Sequence, residues 1–194
     1  MYSSDRKKRI KLIYKNIWLS PGQTFEELKG RSYLKSIFIV PFIILGLVYG
    51  LDFTPALSNI FGGENKLLSW IMSLAFGLIF TFFWLGLVLP GLIKLVGNFW
   101  NGPATFRQLI NICSIAFIPY TFIIFYQLAL LAFGKEPSLD QVNSVLDYLL
   151  RLWSFILLVI GVSRVQKFSY KIALVNILLC YLPLILVELI RVSG

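Results

Sequence analysis

From Leu67 to Ile93 the chain carries no charged side chain. A stretch that long and apolar satisfies its backbone only as a helix, and its natural solvent is lipid. Comparable apolar runs lie at about 34–51, 107–133, 148–165 and 171–190. With 58% hydrophobic and only 14% charged residues in 194, and a mean hydropathy of +0.80, one water-soluble core of this size could not cover them. The expected fold class is all-α: a polytopic membrane protein whose residues 34–194 form a five-helix transmembrane bundle behind a cytoplasmic or interfacial region, 1–33.

That leading region is basic and periodic. Ile10, Ile13, Tyr14, Ile17 and Trp18 fall on one stripe of a helix, while Arg6, Lys7, Lys8, Arg9, Lys11 and Lys15 crowd before and beside it. An amphipathic helix in the headgroup region fits this pattern, its apolar face in lipid and its cations on the anionic inner leaflet. A solvated basic leader that fixes topology fits it too. The net charge of +9 is spread beside apolar runs rather than gathered in a solvated domain, so it points to a membrane surface and not to nucleic acid. No small-residue cleavage site follows the first run, which reads as a retained anchor.

The basic residues also give an orientation. A cytoplasmic N-terminus puts Arg6 to Lys15, Lys29, Arg31, Lys35, Lys94, Arg107, Arg164, Lys167 and Lys171 on the inner side. Most acids, among them Asp52, Glu64, Glu136, Asp140, Asp147 and Glu188, then fall on the other. The expectation is a multi-pass protein of a bacterial-type cell membrane, with the N-terminus inside and the C-terminus outside.

Small and polar residues inside the runs mark candidate packing positions. Gly46 and Gly50 share one helical face, and Ser73, Gly77 and Thr81 recur every four residues in the antiparallel partner, so the two faces either pack together or meet other helices. Pro119 and Pro183 each remove an intrahelical bond and free the carbonyls of Ile115 and Leu179. Asn111, Ser114 and Asn176 are the polar side chains near them, available to line a cavity or to bridge helices. The segments Asn111 to Pro119 and Asn176 to Pro183 are similar, as are Thr24-Phe-x-x-Leu28 and Thr105-Phe-x-x-Leu109; each threonine is placed to cap a helix. Arg151 and Glu188 could pair at the outer face, or Arg151 could snorkel to phosphates.

The catalytic inventory is thin. The chain has no histidine, which removes histidine-based triads and histidine metal ligation. Cys113 and Cys180 lie in apolar segments and read as small hydrophobic fillers. No acidic pair lies within an apolar run, and no glycine loop opens a helix after a strand. The expectation is a protein that is not an enzyme and holds no cofactor or metal.

In the order of its parts the chain resembles the Yip family, the Ypt-interacting-protein domain, in its short bacterial form. The residues that carry the resemblance are Pro21-x-x-Thr24-Phe25-x-x-Leu28, Gly102-Pro-Ala-Thr105-Phe106-x-x-Leu109, Ala116-Phe-Ile-Pro119-Tyr120, and Trp153-Ser-Phe-Ile-Leu157 followed by Gly161 and a turn into Ala173. The likeness covers about Trp18 to Ile190. It implies five spans and a cytoplasmic N-terminus. Eukaryotic relatives are membrane-embedded partners of Rab-type GTPases, and some bacterial ones look like accessory components of ABC-type exporters or of defence against membrane-active peptides. The functional expectation is a scaffold or accessory subunit that binds other integral membrane proteins, with homo-oligomers open; the alternative is a small permease with a path between the third and fifth helices.

Overall fold

The computed structural model describes residue 13, residues 15–29, 35–60, 66–139, 142 and 144–193. The described residues are all-helical. Helix α1 spans Pro21–Lys29, α2 Lys35–Ile60, α3 Lys66–Phe83, α4 Leu89–Gly97, α5 Phe106–Ala116, α6 Ile123–Ala132, α7 Ser144–Gln166 and α8 Tyr170–Ser193. Among the described residues four helical stretches are long and apolar enough to cross a membrane: Ile39–Ile60, Lys66–Trp100, Phe106–Ala132 and Val145–Gln166. In α8, Tyr170–Leu182 forms a shorter apolar helix.

Two of these stretches are broken helices, and in each a proline sets the break. Pro90 has no N–H and its ring crowds the carbonyl four residues back. The chain absorbs this with a π-turn, Trp84–Val88, closed by the Leu89 amide on the Trp84 carbonyl. In the third stretch, Pro119 opens a 3₁₀ turn, Pro119–Phe122, between α5 and α6. The carbonyl of Ile115 that Pro119 frees accepts from the Ile118 amide at 3.2 Å. Tightening of the backbone therefore satisfies it, without a wet cavity or a partner side chain.

Other boundaries differ from the sequence expectation for local reasons. The first apolar helix runs through Thr54 and Pro55 to Ile60, where the sequence suggests a loop from Asp52. Within this proline-containing segment Thr54 Oγ1 donates back to the Gly50 carbonyl at 3.2 Å and Ser58 Oγ to the Thr54 carbonyl at 2.8 Å, contacts that bend a helix without ending it. Helix α1 begins at Pro21 rather than at a Thr24 cap. Proline suits a first helical position, and Thr24 Oγ1, already inside the helix, donates back to the Ser20 carbonyl at 3.1 Å. At α5 the threonine does cap: the Gln108 amide donates to Thr105 Oγ1 at 3.3 Å and the Thr105 amide to Gln108 Oε1 at 2.8 Å.

Three apolar stretches end with the same chemistry. Asn101, Gly134 and Lys167 each adopt a positive φ. The next amide bonds five residues back in each case: Gly102 to Gly97, Lys135 to Leu130 and Phe168 to Ser163, at 2.9 to 3.1 Å. These closures use up carbonyls that a helix end would otherwise leave bare.

The tightest interface joins α2 to α3. A Cβ on Gly77 would collide with the backbone of Gly46 and Gly50, so the helices cross backbone to backbone. Ser69, Ser73, Gly77 and Thr81 form the buried face of α3. At the α1 end, Phe25 is fully buried over Gly161, where an added Cβ would lie 3.0 Å from the Phe25 ring and 2.6 Å from Ile112. Ile13 and Ile17 are likewise buried in the protein core, while Lys15 is exposed. Protein covers these two members of the leading stripe, rather than lipid. Residues 1–12 and 14, with Arg6, Lys7, Lys8, Arg9 and Lys11, lie outside the described residues.

Candidate functional site

The two broken helices meet, and the space between them is the candidate site. Trp84 and Leu85 of the π-turn, Phe117 and Tyr120 of the proline break, Tyr49 of α2, Arg151, Phe155 and Leu158 of α7 and Tyr181 of α8 line a cavity of about 270 Å³. Aromatic rings make most of its wall, three of them at the two breaks and three from α2, α7 and α8. Tyr49 and Tyr120 lie 6.3 Å apart, centroid to centroid. The Tyr120 hydroxyl donates to Asp147 Oδ1 at 3.0 Å, and Arg151 Nε pairs with Asp147 Oδ2 at 2.7 Å. The Arg151 guanidinium also sits 5.3 Å from the Tyr120 ring centroid, a cation–π contact. Sequence reasoning did not single out Asp147 as a partner. It offered Glu188 or outer phosphates for Arg151; the acid one turn before Arg151 on the same helix pairs with its guanidinium, and the side chains of Glu188 and Pro183 lie outside the described residues.

A second cavity, of about 510 Å³, lies against the other half of the π-turn. Phe42, Phe82, Gly86, Leu87 and Ile110 supply its apolar wall, and Arg107 and Asn111 its polar groups. Asn111 Oδ1 is buried without a hydrogen-bond partner.

The other buried carboxamides are staples between elements. Asn176 Nδ2 donates to the Ile93 carbonyl of α4 at 3.3 Å. Gln166 Oε1 accepts from the Ala104 amide at 3.2 Å, wedged where a Cβ on Gly97 or Gly102 would strike it. Gln127 Nε2 donates to the carbonyls of Val48 at 3.1 Å and Pro137 at 2.8 Å. Asn111 and Asn176, read in the sequence as counterparts, are not brought together: Asn111 lines the second cavity and Asn176 lines neither. Ser114 is fully buried, and Pro119 is buried at the start of its 3₁₀ turn. Gln166 and Gln127 escaped sequence reasoning; Gln166 sits at the edge of an apolar run, where a glutamine looks like part of a turn, and Gln127 is a single polar residue inside one.

Among the described residues no group of histidine, cysteine, aspartate or glutamate could hold a metal ion. Cys113 and Cys180 are both buried and free.

Apolar helices of spanning length, a core stapled by carboxamides and backbone-tight glycine packing define an integral membrane protein of the all-helical class. Within that class, the model of the Yip1 domain matches residues 15–190. The chain belongs to the Yip1 domain family. No curated protein and no solved structure matches it.

Proposed function

We propose that this chain is a non-enzymatic scaffold or accessory subunit of a membrane assembly, of the kind that accompanies an ABC-type exporter or a defence against membrane-active peptides. It crosses the cell membrane five times, with α8 as the last span, the N-terminus inside and the C-terminus outside. Arg6, Lys7, Lys8, Arg9, Lys11 and Lys15 meet the anionic inner leaflet, and neither cofactor nor nucleic acid takes part. The observation that carries this reading is the use made of Asn176, Gln166 and Gln127. Each is bonded through one carboxamide atom to the backbone of another element, which is the chemistry of a rigid support.

The lateral surface supports the same reading. Ile71, Phe76, Ile79 and Phe83 of α3 and Phe125 and Leu128 of α6 are exposed, and a membrane partner can pack on such faces without disturbing the core. A photo-crosslinking residue at Phe76 or Ile79, in the full chain in cells, should give one discrete adduct with another integral membrane protein. Adducts with lipid alone at both positions would retire the scaffold. The permease alternative needs solute flux in proteoliposomes that is lost in Asn111→Ala and Asn176→Ala.

A further inference from the structure

We propose that the cavity beside the second half of the π-turn binds a glycerophospholipid whose headgroup carries a hydrogen-bond donor, such as ethanolamine or glycerol. Three features of the cavity select this ligand. Its wall is apolar and reaches the bundle surface, because Phe82 and Leu87 are exposed within a candidate span; an acyl chain can enter sideways from the bilayer. Arg107 stands in the first turn of a candidate span, at a membrane interface whichever way the chain is oriented. It makes no ion pair among the described residues, and no acid lines the cavity. A guanidinium in that position matches a phosphate, which it can hold through two parallel hydrogen bonds.

The third feature distinguishes among phospholipids. Asn111 lies four residues beyond Arg107, hence on the same face of α5 one turn deeper. It is 8% exposed, and its Oδ1 is a buried acceptor with no partner. Gln127 Oε1 is also a buried acceptor without a partner, but Gln127 lines neither cavity; Asn111 lines this one, where a donor from the ligand can satisfy it. An ethanolamine ammonium or a glycerol hydroxyl supplies one a few bonds from the phosphate when the headgroup folds inward past Arg107 into the cavity. A choline headgroup has no N–H or O–H and cannot. The ring pair of Phe42 and Phe82, edge to face with centroids 5.6 Å apart, fixes the wall on which the acyl chain lies.

The inference is independent of the scaffold reading, since lipid retention is measured on the isolated chain with no partner present. The full-length protein, purified and delipidated in mild detergent, is offered phosphatidylethanolamine, phosphatidylglycerol and phosphatidylcholine of identical acyl chains, and bound lipid is read by native mass spectrometry. Ethanolamine and glycerol lipids should bind about tenfold more tightly than the choline lipid, the scale of one desolvated hydrogen bond. Asn111→Leu should abolish that preference, and Arg107→Gln should weaken all three lipids alike. Equal binding of choline and ethanolamine lipids to the unaltered protein would overturn the proposal with no variant needed. So would a preference that survives Asn111→Leu, or binding indifferent to Arg107→Gln.

Discussion

The hydroxyl of Tyr120 donates to the carboxylate of Asp147 at 3.0 Å, joining the proline break of the third apolar stretch to the first turn of α7. The second oxygen of the same carboxylate holds Arg151, so one acid anchors both a ring and a cation. We predict that Tyr120→Phe lowers stability by about 1–2 kcal/mol, the worth of a bond to a charged acceptor discounted for partial exposure. Asp147→Leu should cost more, because it also strips Arg151 of its counter-ion. Thermal unfolding in detergent measures both; a Tyr120→Phe variant that melts like the parent would mean the bond does not form.

At the crossing of α2 and α3, the smallest possible side chain is already too large. Gly77→Ala should destabilise by roughly 1–3 kcal/mol, since its methyl meets the backbone of Gly46 and Gly50 and no flexible side chain can yield. Gly77→Val should prevent accumulation in the membrane. Gly134→Ala serves as the comparison, because nothing lies within 4 Å of that position; its own cost comes from the positive φ and stays near 1 kcal/mol. Equal accumulation of Gly77→Val and the parent would contradict the close crossing.

Two of the three inter-element carboxamides should rank in a definite order. Gln166→Leu leaves the buried Ala104 amide without its acceptor, at about 1–3 kcal/mol. Asn176→Leu removes a donor from Ile93, a carbonyl within a helix, and should cost about 1 kcal/mol. A reversed order in chemical or thermal unfolding would show that the staples carry different weights from those their geometry assigns.

Sidedness is open to a labelling experiment in a Cys113→Ala/Cys180→Ala background. Glu136 and Lys171 are both exposed and lie beyond opposite ends of α7. We predict that an impermeant maleimide labels Glu136→Cys on intact cells and Lys171→Cys only after the membrane is opened. Labelling of both from outside would rule out α7 as a single crossing between them, and the mirror result would invert the proposed orientation.

The long uncharged run from Leu67 made the helical membrane class legible, because hydrocarbon leaves a backbone few alternatives. The Thr105 cap was legible too, as its partner sits three residues away. The matching pattern at Thr24 misled, because Pro21 precedes it at a spacing that lets the helix start early. Neither cavity could be seen. Tyr49, Trp84, Tyr120, Phe155 and Tyr181 are far apart in sequence and converge only because two prolines break their helices near one another. The π-turn was equally hidden: Pro90 announces a fault but does not say whether the chain will kink, stop or insert a wider turn.

That wider turn has a consequence for genetics. Trp84 and Leu85 belong to one cavity and Gly86 and Leu87 to the other, so four consecutive residues are a party wall between two rooms. A π-turn is an α-helix carrying one surplus residue. Deleting a single residue between Trp84 and Val88 would return the wall to ordinary α-helix while leaving α3 and α4 facing as before. Such a deletion would remodel both rooms at once, whereas point changes at Trp84 and Leu87 address them separately.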